Sequence, residues 1–377
     1  MNKELIWLEN KLESLRSFNG SLLGYVGSSP NVMELASKLG VSPSKVLKLD
    51  SNENFFVQSE FLNNTFQETL KEVDLRLYDP KALSDLAKSL GKYLNVPPEC
   101  IVVGSGSEQL IDFIAQFFLE KGDEAISIVP SFFMYEKRVS LSGATLRAST
   151  LKSDLSIDVD DILRKVTPKT KLIFICSPNN PTGNEFSWDS VEAIADKFSA
   201  VVIVDEAYAE FGGSSVCPLA VEKSNVVVVR TFSKAFGLAG LRFGYSVAHE
   251  SLASVFSGII PYTVGTITAK YVQKLLAKNE VVQNWVTMVV DERERLVKDL
   301  RRVKGLVVFE SKANFVTFRP YSNPTQVCAD LLEKGIIIKD LGDSPIIGHC
   351  LRVTVGLPEM NSRFLSAISA IMGGMVE

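Results

Sequence analysis

Between residues 101 and 244 the chain repeats a pattern that few folds accommodate. Short, continuous apolar runs rich in β-branched residues alternate with segments of helical periodicity. The runs cover 101–103, 125–129, 172–176, 201–204 and 226–229. Each is too short for a helix and has no polar face, so each reads as a strand buried on both sides. Such strands need cover above and below. The intervening helices supply it, and the crossovers they make leave the sheet mostly parallel.

The flanks read differently. Residues 31–50 hold a helix-like ELASKLG and a strand-like VLKLD, and a helix is expected from about 82 to 94, closed by Pro97 and Pro98. Beyond about 263 come long charged helices reaching Arg302, then short strands near 306–309, 314–318, 336–339 and 351–355. A chain of 377 residues is long enough for two domains. We therefore expect an N-terminal arm and part of a small domain at 1–50, a large domain at 51–262 and a smaller C-terminal α/β domain at 263–377.

Bulk chemistry excludes several classes of function. A formal charge of −4 without a long basic run argues against nucleic acid as the main partner. No apolar stretch approaches the length of a bilayer. The opening MNKELIWLENKLESLR reads as an amphipathic helix with Leu5, Leu8, Leu12 and Leu15 on one face, not as a signal peptide. Five scattered cysteines and two histidines show no metal-ligand spacing, and a reduced cytoplasm is the expected compartment.

Open parallel sheets bind ligands at the carboxyl ends of their strands. Four such ends carry suitable residues. GSGSEQ at 104–109 runs into a helix whose first amides suit a phosphate, or else is a tight turn with Ser107 as N-cap. SPNNPTG at 177–183 is a rigid turn that presents asparagines. DEAY at 205–208 puts a carboxylate at the end of a buried strand, where it either pairs with a cation or caps a helix. TFSKAFGLAGLR at 231–242 places Lys234 among small and apolar residues, where desolvation lowers the pKa of an amine and lets it form a Schiff base. A phosphorylated aldehyde cofactor with a ring nitrogen needs this set: an amine, a carboxylate for the nitrogen, donors for the ring oxygen, and amides, hydroxyls and an arginine for the phosphate.

In that order and spacing, SPNNPTG, VDEAY and SKAFGLAGLRFG resemble the aspartate-aminotransferase-like, fold type I family of pyridoxal-phosphate enzymes. From LDSNEN to LRVTVG, the chain more narrowly resembles the histidinol-phosphate aminotransferases. The resemblance implies a seven-stranded-type sheet between helices in the large domain, a homodimer, and pyridoxal 5'-phosphate as cofactor. It makes Lys234 the covalent anchor and proton carrier, Asp205 the partner of the ring nitrogen, and Tyr208 and Asn180 the partners of the ring oxygen. Ser107 and Glu108 (through their amides), Thr231, Ser233 and Arg242 would hold the phosphate. Phe132 would stack on the ring, and Tyr78 would reach the phosphate of the neighbouring subunit.

For the substrate, the resemblance implies Tyr25, Asn52, Asn180, Lys339 and Arg352. Two positions depart from the family's usual pattern. Phe55 stands where NENP has proline, and Lys339 stands where arginine is common, keeping the charge but not the fork. The implied reaction passes the amino group of histidinol phosphate to 2-oxoglutarate by ping-pong chemistry. Threonine-phosphate decarboxylation and aromatic amino-acid transamination share the fold and most of the cofactor set. A non-catalytic sensor module is a more distant alternative.

Overall fold

The computed structural model describes residues 30–260 and 263–374. The helix expected at the N-terminus and Tyr25 lie outside the described residues.

Seven strands form the main sheet: β2 (Ile101–Gly104), β3 (Glu124–Val129), β4 (Thr145–Thr150), β5 (Thr170–Cys176), β6 (Val201–Asp205), β7 (Val226–Thr231) and β8 (Gly244–Ala248), in the order β2-β8-β7-β6-β5-β3-β4. Every pairing is parallel except those of β8, which runs antiparallel to both β2 and β7. The five apolar runs are thus strands. β4 and β8 are not legible from hydropathy. β4 is an edge strand whose TLRAST is largely exposed, and β8 opens on glycine and carries a serine.

Val202 and Val204 of β6 and the valines of β7 are almost wholly shielded, and helices covering the two faces complete the core. Burying one such side chain contributes about 1.5–3 kcal/mol. On one face pack Trp188–Lys197 and Pro80–Leu94, and on the other Ser107–Phe118. Pro80–Leu94 shows how local sequence sets an element. Asp79 caps it by accepting from the Ala82 amide, Pro80 suits its first turn, and Asn95 in the left-handed conformation ends it.

A second, four-stranded sheet has the order β12-β13-β10-β9, built from β9 (Leu306–Val308), β10 (Phe315–Pro320), β12 (Lys339–Asp340) and β13 (Leu351–Thr354). All its pairings are antiparallel. The long helix Asn279–Leu300 packs on β10 and on Pro358–Met372. The short β1 (Leu47–Lys48) pairs in parallel with β11 (Ile336–Ile337), tying the chain before Asp50 to the C-terminal elements. Among the described residues, no helix is long and apolar enough to cross a membrane.

Candidate active site

Register brings the functional strand ends side by side. In the sheet, Asp205 at the end of β6 stands opposite Cys176 on β5 and Val229 on β7, while Gly244 of β8 stands opposite both Thr231 and Gly104. A cavity of about 970 Å³ opens over these ends. Its walls include Asn52, Ser107, Glu108, Phe132, Asn180, Asp205, Tyr208, Thr231, Ser233, Lys234, Arg242, Lys339 and Arg352. The segments that follow β3, β5, β6 and β7 meet here because these strands run parallel, whereas Lys339 and Arg352 come from the second, antiparallel sheet.

Lys234 sits in the turn after β7. Its Nζ donates to the Ser51 carbonyl at 2.9 Å and lies 5.8 Å from the Tyr208 ring centre. Burial, with the positive charges of Arg352 and Arg242 nearby, lowers its pKa to about 7. A substantial fraction is therefore a neutral amine near neutrality. The preceding polar loop is clamped to the lysine segment, since Asn54 Nδ2 donates to the Ala235 carbonyl at 2.9 Å. Phe55, the departure from NENP, packs against the main core.

Asp205 is buried, and desolvation raises its pKa to about 6 against two opposing hydrogen bonds. Within the chain, two neutral donors hold it. The Tyr135 hydroxyl donates to Oδ2 at 2.8 Å, and the Ala207 amide donates to Oδ1 at 3.1 Å. Tyr135 is not among the residues that sequence reasoning singles out, although PSFFMY places it three positions after Phe132, about one helical turn on. Glu206 belongs to a different cluster: it accepts from Arg230 Nε at 2.9 Å and from the Val216 amide at 2.6 Å.

At one end of the cavity the groups suit a dianion. Helix Ser107–Phe118 begins there with its first amides free of helical partners by geometry. Gly106, not Ser107, is its N-cap, with φ 91°. A side chain on Gly106 would be strained and would come within 2.9 Å of Arg242 Nη2. Arg242 Nη1 donates to Ser233 Oγ at 3.3 Å, and Thr231 Oγ1 donates to Ser233 Oγ at 3.0 Å. Gly244 is the unrecognised member of this end. A Cβ there would meet the Ser107 amide nitrogen at 2.5 Å, so glycine lets the turn lie against β8. The Glu108 carboxylate accepts from Arg138 at 2.9 Å, which leaves its amide as the contribution to this end.

At the other end stand Arg352 on β13 and Lys339 on β12, opposite each other in register. Arg352 Nη1 donates to Asn180 Oδ1 at 2.6 Å, Nη2 donates to the Asp50 carbonyl at 2.8 Å, and the guanidinium lies 5.3 Å from the Phe315 ring centre. Burial and the neighbouring Arg352 charge lower the pKa of Lys339. Asn52, held in the left-handed conformation at φ 54°, donates from Nδ2 to the Tyr208 hydroxyl at 3.0 Å. Burial raises the pKa of that hydroxyl.

The sequence pattern of the family described as Aminotransferase class I and II matches residues 44–368. The chain is 38% identical over 331 residues to a histidinol-phosphate aminotransferase of Ruminiclostridium cellulolyticum, a match covering 86% of this chain and 92% of that one. The chain belongs to the class I and II aminotransferases. It is also 33% identical over 365 residues to a histidinol-phosphate aminotransferase of Methanococcoides burtonii, covering 96% and 99% of the two chains. In fold, this aminotransferase matches the Sinorhizobium meliloti histidinol-phosphate aminotransferase in complex with pyridoxal-5'-phosphate. The TM-score is 0.82 at 22% identity, covering 92% of this chain and 96% of that one.

One expected site residue of this aminotransferase lies outside the cavity of its own chain. Tyr78 is 87% exposed, beside the exposed Leu75 and Leu77, and does not line the cavity. The cavity itself offers this family member an amine of depressed pKa, a buried carboxylate and, at each end, cationic side chains that suit an anion.

Proposed function

We propose that the chain is an aminotransferase that uses pyridoxal 5'-phosphate to convert histidinol phosphate and 2-oxoglutarate into imidazole-acetol phosphate and glutamate, a step of histidine biosynthesis. The observation that carries this reading is a single cavity whose lining brings Lys234 and Asp205 together with Ser233 and Arg242 and with Lys339 and Arg352. The relatives named above carry the substrate assignment.

The donor set fits the cofactor. The Gly106 cradle, which a Cβ would fill, lies beside Arg242 and Ser233 and suits the phosphate. Asp205 suits the ring nitrogen, Tyr208 and Asn180 the ring oxygen, and the flat face of Phe132 the ring. Lys234 Nζ suits the aldehyde. When bound, pyridoxal 5'-phosphate supplies an electron sink for the pair left behind as a proton leaves the substrate carbon.

The residues of the chain do the rest. Asp205, anionic near neutrality, holds the proton on the ring nitrogen so that the sink keeps its charge. Lys234 Nζ, partly neutral near pH 7, takes the proton from the substrate carbon and returns it one position away. Arg352 and Lys339 bind the far anion, which is the phosphate of the amine in one half-reaction and a carboxylate of the 2-oxo acid in the other. A guanidinium fork fits both anions. Phe315 beneath Arg352 and the Asn180 and Asp50 oxygens fix that fork in place. Asn52 orients the Tyr208 hydroxyl.

In this reading the enzyme is a cytoplasmic homodimer, and Tyr78 reaches the phosphate of the other subunit. The exposure of Tyr78, and that of Leu75 and Leu77 beside it, supports such an interface. Residues 51–262 form the cofactor domain, while 263–377 with part of 1–50 form the small domain; the pairing of β1 with β11 supports that division. Tyr25, outside the described residues, and Asn52 complete the substrate set.

Turnover by the purified enzyme tests the proposal. Histidinol phosphate alone is expected to give one turnover per site, and 2-oxoglutarate to make the reaction continuous. Release of carbon dioxide without a need for an oxo acid, or turnover confined to aromatic amino acids, would refute it.

A further inference from the structure

The Asp205 carboxylate has a support that the mechanism above does not use. Oδ1 is held by the Ala207 amide, a donor fixed by the backbone two residues on. Oδ2 is held by the Tyr135 hydroxyl, a donor seventy positions away in sequence and fixed only by packing. Tyr135 is 1% exposed. Its ring lies flat on Phe174 of β5, with centroids 4.8 Å and planes 12° apart, and meets Phe132 edge-on at 5.6 Å and 86°. Rotation of the ring about its own axis leaves the oxygen in place, so this packing fixes the donor in space. Burial raises the phenol pKa well above its usual range, so Tyr135 stays a proton donor at every working pH.

We propose that Tyr135 is a positioning residue: by donating to Oδ2 it holds Asp205 anionic and in one orientation, leaving the remaining lone pairs for the ring nitrogen of the cofactor. This rests on the pyridoxal-phosphate reading of the cavity. Desolvation pushes Asp205 toward its neutral form, and a neutral carboxyl would no longer keep the ring nitrogen protonated. The two fixed donors oppose that drift, and Tyr135 supplies the one closer to its acceptor. Tyr135 also joins the carboxylate to the wall formed by Phe132, so one side chain aligns the edge contact and the face contact of the ring.

Two variants separate this role from simple packing. Tyr135→Phe keeps the ring and its stacking but removes the donor, whereas Phe174→Leu removes the stacking partner and keeps the donor. Each holoenzyme is titrated with pH while the visible band of its bound cofactor is followed, and each is melted. A ring nitrogen held less firmly by Asp205 draws electrons less, so the imine nitrogen linking cofactor and lysine becomes more basic. The midpoint in Tyr135→Phe is expected to rise, by at most about one pH unit, which is the shift that loss of one hydrogen bond would give at Asp205 itself. Phe174→Leu, which keeps the donor but loosens its support, is expected to lower the melting temperature and to move the midpoint much less than Tyr135→Phe does. An unmoved midpoint in Tyr135→Phe, or equal shifts in both variants, would overturn the positioning role alone. A wild-type enzyme that gains no visible band with pyridoxal 5'-phosphate would overturn the cofactor reading, and this inference with it.

Discussion

Replacing Lys234 by methionine is expected to stabilise the cofactor-free protein, and to do so only on the acid side of the lysine's titration. In the unfolded chain the lysine holds its proton up to the ordinary value of 10.5, whereas in the fold it releases it at about 7. Between those values the unfolded state binds more protons, so this group makes stability rise with pH. Below about 7 the folded protein bears the whole cost of a desolvated ammonium. Above 10.5 both states are neutral and the cost is gone.

The full span corresponds to about 5 kcal/mol, an upper bound. Two corrections reduce it. Lys234 keeps partial contact with solvent, which screens the charge. The variant also loses the hydrogen bond from Nζ to Ser51, about 1 kcal/mol. A net gain of about 2–3 kcal/mol remains below neutrality, which for a chain of 377 residues is about 3 °C in melting temperature. Methionine has nearly the length of lysine and leaves little void. Scanning fluorimetry of both cofactor-stripped proteins, at about one pH unit below neutrality and again near the ordinary lysine value, measures the difference. A melting difference that is the same at both pH values, or a variant less stable than wild type on the acid side, would refute the argument.

Two further perturbations probe the ends of the cavity. Gly106→Ala forces a side chain onto a residue at φ 91° and against Arg242. Such strain costs on the order of 1–3 kcal/mol, and it is felt in binding because the free variant relaxes the turn and has to restore it around the phosphate. Since about 1.4 kcal/mol is a factor of ten in affinity, equilibrium dialysis is expected to show roughly tenfold weaker cofactor binding, and unchanged binding would contradict a phosphate site at this turn. Arg352→Lys keeps the charge but cannot reach both Asn180 Oδ1 and the Asp50 carbonyl as a fork. KM for the amine and for the 2-oxo acid is expected to rise together by about tenfold, roughly the loss of one charge-assisted hydrogen bond, with cofactor affinity nearly unchanged; an effect on one substrate alone would contradict a shared anion site.

Much of the large sheet is legible because a strand buried on both faces must be continuously apolar, and 201–204 and 226–229 have no other use for four such residues in a row. β4 and β8 are not legible, since an edge strand need not be apolar and β8 is built around glycine packing. Among the residues that line the cavity, those at or just after strand ends are readable: Asp205, Asn180, Ser107 and Lys234. Tyr135 is not, because a buried tyrosine looks the same in sequence whether its hydroxyl meets a carboxylate or a water. Gly244 goes unread for a related reason, as its need for no side chain comes from the Ser107 amide of another segment.

By itself the sequence determined the layered α/β class, the strand ends that carry polar groups, and the residue types that suit a phosphorylated aldehyde. These follow from periodicity and local chemistry, which act over a few residues. Only the tertiary structure decided that Lys234 is held by Ser51 and has its pKa lowered by burial beside Arg352 and Arg242, that the Tyr135 hydroxyl donates to Asp205, and that Arg352 and Lys339 face each other at the far end of the cavity. Desolvation, register and charge proximity are properties of the space between segments, and a linear order of residues does not contain that space.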